Sequence, residues 1–394
     1  MQQDPHRRSQ AFIVLALYVL LNALSQFEWL RFAPITSRTA AEYGVDVVWI
    51  GALALCFPLL AFLLSLPMGW AIDRFGLRPS LRTAALLMAV GAEVRHLGGY
   101  PWVLTGQILF ALAQPLLANS VGKMAIIWFD GPGRMRATGI ATMSLFGGIA
   151  LAFVVVPLLP GSVAWSLSLD PGIAVPLLAM TWFMLPRDPT AVAAPAATGW
   201  VTLLRQPRFL ALLAISVLGN GFFGAIFTWL EQMLRPRGFD SGTAGLAGLL
   251  LLVGGILGSA ILPGFANRPG RLRPVVIGPA LLALPATALL LATPDRWVLL
   301  PAAAALGFCL LSPLPVLISL VQRMGGHASA GIALSLFWLA GNAGSAGITW
   351  LLSFPAQSGD WRLGGIFLAA LLLLQGGLAF VALAPGGVEA AQEG

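Results

Sequence analysis

The chain has 394 residues, of which 58% are apolar and only 9% charged, and its mean hydropathy is +0.87. Water-soluble globular proteins carry about 25% charged and about 45–50% apolar residues, so the composition excludes a soluble fold and leaves lipid as the solvent. The formal charge of +7 is almost all arginine in short segments between apolar runs, which reads as a topology signal rather than a nucleic-acid surface.

The apolar runs are continuous, not alternating, which excludes a β-barrel. At about 20 residues per crossing, they predict twelve spans in chain order: 11–35, 47–70, 80–98, 102–128, 137–160 and 167–186, then 209–233, 243–264, 274–292, 296–321, 329–353 and 363–384. The sixth is the least regular, because Asp170 and Pro171 interrupt it. Between the sixth and seventh lies a Pro/Ala/Thr-rich stretch, with a short interfacial helix expected at Trp200–Arg205. The predicted organisation is an N-terminal six-helix bundle (1–186), a cytoplasmic linker (187–208) and a C-terminal six-helix bundle (209–394).

Basic residues set the orientation. With the N-terminus inside, Arg31, Arg38, Arg95, Arg235, Arg237, Arg296 and Arg362 fall outside, leaving fifteen of the 22 Lys and Arg inside. That bias places both termini in the cytoplasm. The Arg-for-Lys preference with abundant Ala, Leu and Gly suggests a bacterial inner membrane. Cys56 and Cys309 each lie inside an apolar run and read as core thiols.

The two halves repeat their punctuation. Asp73-Arg74-Phe75-Gly76-Leu77-Arg78-Pro79 after span two is echoed by Asn267-Arg268-Pro269-Gly270 and Arg273-Pro274 after span eight. Pro115 to Lys123-Met124 in span four is echoed by Pro315 to Arg323-Met324 in span ten. Gly139-Ile140-Ala141 and Ser144 in span five match Gly331-Ile332-Ala333 and Ser335 in span eleven. Two parallel six-helix halves are one described transporter architecture.

The string Gly69-x-x-x-Asp73-Arg74-x-Gly76-x-Arg78 resembles the loop signature of the major facilitator superfamily, a fold of two pseudo-symmetric six-helix bundles. The resemblance implies a cytoplasmic gate at Gly69, Asp73, Arg74, Gly76 and Arg78, with Arg134 and Arg136 before span five as expected partners of Asp73. Tyr18-Val-Leu-Leu-Asn22-Ala23, Trp70 to Arg78, and Gly106-Gln107-x6-Ala113-Gln114-x8-Lys123-x4-Trp128-Phe129 narrow it. They resemble the feline leukaemia virus subgroup C receptor-related branch, transporters associated with haem, choline and ethanolamine. Relatives carry Asn-Ala-x-Gln-Trp in span one, whose Trp helps cage a quaternary ammonium. This chain reads Asn22-Ala23-Leu24-Ser25-Gln26-Phe27-Glu28-Trp29: with one inserted residue Gln26-Phe27 matches with Phe in place of that Trp, and without it Gln26 stands at the Trp position.

Polar groups at membrane depth are costly and often face a cavity. Asn22 and Gln26, one turn apart, lie near the middle of span one, with Gln114 in span four, Asn220 in span seven and Asn342 in span eleven. With Trp29 and Phe223 (and neighbours Phe222 and Trp229) they form an expected amide-lined, aromatic-walled substrate site. The alternative is interhelical hydrogen bonding, worth about 1 kcal/mol or less each. Glu28 and Glu231 occupy the outer thirds of spans one and seven. They would attract a cationic solute or carry a coupling proton; the alternative is pairing with Arg31 or Arg235. Glu93, Arg95 and His96 read as a local structural cluster.

The expectation is a monomeric, lipid-embedded, secondary or facilitative transporter of a small organic solute by alternating access, such as choline or ethanolamine. Competing readings are a proton-coupled exporter of drug-like compounds or metabolites, and a non-transporting membrane receptor. The sequence offers no nucleophile–base pair, metal spacing or phosphate loop, so neither catalysis nor a cofactor is expected.

Overall fold

The computed structural model describes residues 5–130, 132–188, 200–266 and 271–383. Much of the expected linker and the echo at Asn267–Gly270 lie outside the described residues. Among the described residues all regular structure is helical. Eleven helical segments are long and apolar enough to cross a membrane.

Chain contacts divide the protein into two units, Met1–Ala194 and Pro195–Gly394. In the first, the helices are α1 (Pro5–Leu30), α2 (Thr36–Tyr43), α3 (Val47–Phe75), α4 (Leu77–Val94), α5 (Tyr100–Trp128), α6 (Pro132–Leu158), α7 (Val163–Leu167) and α8 (Pro171–Met184). In the second they are α9 (Trp200–Leu204), α10 (Pro207–Leu234), α11 (Ser241–Ile261), α12 (Pro263–Ala266), α13 (Leu272–Ala292), α14 (Arg296–Leu311), α15 (Leu314–Leu351), α16 (Ser353–Ser358) and α17 (Trp361–Ala382). The expected third span corresponds to α4. It stands apart from the eleven because Arg78, Arg82 and Glu93 punctuate its 18 residues.

Two expectations change. Span six is broken at Ser168–Asp170 into α7 and α8, because Pro171 supplies no N–H to continue the first piece. The turn expected between spans ten and eleven is helical backbone within α15. Span ten breaks instead at Ser312–Pro313, between α14 and α15. The bridging stretch after Val321 has no proline. Its glycines cost about 1 kcal/mol each in a helix, too little to stop one flanked by good formers.

Helix pairing repeats between the units. In unit one α1 packs on α6, α3 on α5, and α4 on α5 and α8. In unit two α10 packs on α15, α11 on α14, and α13 on α14 and α17. The first-to-fifth-span crossing is made by glycine in both. A Cβ at Gly148 would collide with the Ala23 carbonyl, and one at Gly344 with the Val217 carbonyl. Small residues let backbones approach closely where lipid supplies no hydrophobic drive between helices. Phe57 and Phe110 are fully buried in unit one, and Phe209 and Phe337 in unit two. Phe183 (83%) and Trp297 (81%) are exposed, as suits outward side chains whose solvent is hydrocarbon.

Candidate functional site

The polar residues of α1 do different work on different faces. Asn22 donates through Nδ2 to Ser144 Oγ (2.9 Å) and the Ala141 carbonyl (3.3 Å) on α6. Its amide is thus committed to helix packing. One turn on, Gln26 is buried and its Cβ lies against Gly148 of α6. Its side-chain oxygen has no hydrogen-bond partner. Trp29, half-buried, donates through Nε1 to the Ala54 carbonyl of α3 (3.1 Å). On α5, half-buried Gln114 also has a buried side-chain oxygen without a partner.

Glu28 lies in an ion quartet that the sequence reading missed. Its Oε1 accepts from Arg31 Nη1 (3.1 Å) and its Oε2 from Arg95 Nη1 (2.6 Å). Asp170 bridges the same two guanidiniums, accepting from Arg31 Nη1 through Oδ1 and from Arg95 Nη1 through Oδ2 (3.0 Å). Arg31 Nη2 also donates to the Ser166 carbonyl (2.7 Å). Gln107 accepts from Arg95 and donates to the Glu28 carbonyl (2.7 Å). All four charged residues are buried. Two cations and two anions cancel, which is how charge survives at low dielectric.

Two expectations are corrected by this geometry, and one alternative is met. Glu28 does not present a free charge at an outer mouth, because two guanidiniums neutralise it. The alternative pairing with Arg31 is made, and Arg95 joins it. Arg95 leaves its sequence neighbours Glu93 and His96 to pair across the bundle. A signal was present: an arginine and an aspartate inside apolar spans require partners, and Asp170 is also where span six breaks.

In unit two, Asn220 Nδ2 donates back to Ser216, to its carbonyl (3.3 Å) and hydroxyl (3.2 Å). The Ser216 hydroxyl donates to the Phe337 carbonyl of α15 (2.7 Å). Gly341, beside half-buried Asn342, leaves the room that Asn220 fills. Phe223 packs against Phe227, ring centroids 4.5 Å apart and planes tilted by 40°. Buried Glu231 accepts from Gln232 Nε2 (2.6 Å). Among the described residues no group of three or more His, Cys, Asp or Glu could hold a metal ion.

At the end of α3, the gate string is tied inward. Gly76 adopts φ +96°, and a Cβ there would lie 2.8 Å from Asp188 Oδ2. That oxygen accepts from the Arg78 backbone N–H (3.1 Å), so Asp188 caps α4 from beyond α8. Asp73 pairs with Lys123 Nζ of α5 (3.3 Å), and Lys123 also donates to the Ile72 carbonyl (2.7 Å). This replaces the expected pairing of Asp73 with Arg134 or Arg136, both of which are exposed on α6. Lys123 is placed for this pair because α5 packs directly on α3 and its flexible stem reaches the end of that helix. Arg74 lies over Trp70 (5.6 Å) and Phe75 (5.9 Å). Gly69 makes no tight crossing, its nearest neighbour being Asn119 Nδ2 at 4.0 Å.

Eleven membrane-length helices and a helix pairing repeated in each unit define a multi-pass membrane protein of duplicated design. Residues 11–349 match the Major Facilitator Superfamily, and the chain belongs to that family of transporters. It is 30% identical over 290 residues to "Solute carrier family 49 member A3" of Danio rerio, covering 67% of this chain and 60% of that protein. It is 25% identical to the human "Choline/ethanolamine transporter FLVCR2", covering 84% and 68% respectively. The chain thus spans about three-fifths of the length of the first of these relatives. Among solved structures, a bacterial homologue of the human lysosomal transporter Spinster, inward-facing and unoccupied, superposes with a TM-score of 0.77 at 14% identity. That match covers 96% of this chain and 97% of the other. The nucleoside transporter NupG gives 0.75, also at 14%, covering 94% and 100%. These relatives and neighbours are transporters, not enzymes.

Proposed function

We propose that this transporter carries a small organic amine, of the choline or ethanolamine class, by exposing its binding residues to the two sides of the membrane in turn. The observation that carries the reading is the pair of unpartnered amide oxygens on α1 and α5, Gln26 and Gln114, in a chain akin to a choline/ethanolamine transporter. Buried acceptors without partners cost about 1–3 kcal/mol each, a cost that a bound donor removes. Trp29, three residues from Gln26 on α1, is the proposed aromatic wall. In unit two, Phe223 and Asn342 are the proposed counterparts.

The driving force is a solute or proton gradient. Buried Glu231 of α10 is the proposed carrier of a coupling proton. The Asp73–Lys123 pair, with Gly76, Arg74 and Arg78, serves as the cytoplasmic gate. Both termini face the cytoplasm of a bacterial inner membrane, following the arginine bias.

The test is uptake of labelled choline and ethanolamine into proteoliposomes, with and without a pH gradient. Uptake of either one above protein-free vesicles supports the amine reading. Uptake of neither, with no binding of either, removes it.

A further inference from the structure

We propose that unit two carries a binding crevice for an anionic phospholipid, with one acyl chain lying in it and Arg271 holding the headgroup. The site lies apart from the residues proposed to handle solute and does not depend on which solute is carried.

Shape is the first observation. A cavity of about 360 Å³ opens between α12 and α13, lined by Phe265 and Leu282 and, from α14, by Phe308. That volume falls in the range of sites that take small molecules, about 300–1,000 Å³. Among the described residues Arg271 is the one charged side chain in the lining. Gly278 of α13 keeps the crevice open, since a Cβ there would meet nothing within 4 Å.

Depth is the second. Arg271 is the N-cap of α13, at the membrane-surface end of a 21-residue span. Leu282 lies eleven residues further on, about 16 Å along the axis. Half the hydrocarbon thickness is about 15 Å. The crevice therefore runs from one membrane surface to the bilayer middle, which is the reach of a lipid in that leaflet. Phe265 and Leu282 are exposed, so a chain can enter from the side.

Charge is the third. Among the described residues the Arg271 side chain makes no hydrogen bond or ion pair. The described carboxylates of unit two, Glu231, Asp240, Asp295 and Asp360, all lie at the far end of α13. Trp361 Nε1 donates to the Gln232 carbonyl (2.9 Å) and Arg237 Nη1 to the Thr293 carbonyl (3.1 Å), which gathers those four acids there. Arg273 is turned toward α17, where its Nε donates to the Leu383 carbonyl (2.6 Å). A phosphate supplies the counter-charge that Arg271 lacks, and an uncharged hydrocarbon guest would not.

The experiment titrates the purified full chain in detergent with dioleoyl phosphatidylglycerol, and separately with dioleoyl phosphatidylcholine. Retained lipid is counted by native mass spectrometry. One phosphatidylglycerol should be held about fivefold more tightly than phosphatidylcholine, the attraction of about one arginine to an anionic headgroup. Arg271→Gln should bring the two lipids level. Gly278→Leu fills the crevice and gains helix propensity. It should weaken both lipids about fivefold or more while the unfolding temperature holds or rises. The wild-type preference and Arg271→Gln decide the matter even if Gly278→Leu fails to fold. Equal retention of the two lipids by wild type, or retention unmoved by both variants, overturns the proposal. Displacement of the lipid by glycerol 3-phosphate, a headgroup without a chain, would make this a free-phosphate site and overturn it too. So would a dimer that Gly278→Leu dissolves, which would put a second copy of the chain in the crevice.

Discussion

Glu28 and Arg95, 67 positions apart in sequence, meet at 2.6 Å inside unit one, with Gln107 bonded to both residues. With Arg31 and Asp170 they join α1, the end of α4 and the α7–α8 break into one electrostatic unit. Removing one member of a buried ion network costs about 3–5 kcal/mol, because the remaining charges stay buried without compensation. Glu28→Gln is therefore expected to lower the thermal unfolding temperature steeply in detergent. Glu28→Met with Arg95→Met, which removes one charge of each sign, should recover much of the loss. An unfolding temperature unchanged in Glu28→Gln, with uptake abolished, would return Glu28 to a role in handling solute.

Adjacent glycines on α6 give a sharper packing test. A Cβ at Gly148 would strike the Ala23 backbone, whereas nothing lies within 4 Å of one at Gly147. Gly148→Ala forces α1 and α6 apart and should cost about 1–3 kcal/mol or more, in the range of overpacked sites. Gly147→Ala meets no neighbour and gains helix propensity, about 0.5–1 kcal/mol in favour of folding. Side-by-side thermal unfolding of the two variants should move in opposite directions. Equal shifts would mean that the α1–α6 crossing is looser than its geometry implies.

Sequence pattern carried most of the architecture, because hydropathy and arginine bias are local properties that lipid reads directly. Each predicted span has a helical counterpart, and eleven helical segments are long and apolar enough to cross a membrane; α4, with three charges, stands apart from them. Partner choice was not legible. Asp73 selects Lys123 over Arg134 and Arg136, and Glu28 selects Arg95 as well as Arg31, because those pairs are decided by which helices adjoin. The helix break at Ser312–Pro313 was not legible either, because the apolar run of 296–321 continues across it. For the amides, burial separated two classes that look alike in sequence. Asn22 and Asn220 are spent on helix contacts, while the oxygens of Gln26 and Gln114 are not.

Asp188 offers a test of the gate. Gly76 starts α4 without a side-chain cap of its own, and the Asp188 carboxylate fills that role from beyond α8 through the Arg78 N–H. Loss of an N-cap costs about 0.5–2 kcal/mol. Asp188→Ala should loosen the first turn of α4 by that amount, seen as faster backbone hydrogen exchange at the N–H groups of 77–80, Pro79 having none. The outer end of α4 should keep its protection. Unchanged exchange at 77–80 would show that the cap contributes nothing to holding this turn.

Asp240 provides a pH-dependent counterpart outside the membrane segments. It is the N-cap of α11, and its Oδ1 accepts from the Thr243 N–H at 2.9 Å. Hydrogen bonds from Thr243, side chain first and then backbone, hold its carboxyl below the usual range. A depressed folded-state value means that the cap's stabilisation is fully present above the unfolded value, about 3.9, and drains away as pH falls through the folded value. At pH 7, Asp240→Ala should cost about 1 kcal/mol. As pH drops below about 4 the stability gap between wild type and variant should close, because protonation removes the acceptor charge that the variant lacks already. Asp240→Asn, which keeps an acceptor oxygen without the charge, should retain part of the gap at every pH. A wild type and Asp240→Ala that differ equally at pH 3 and pH 7 would mean that the carboxylate's charge plays no part in starting α11.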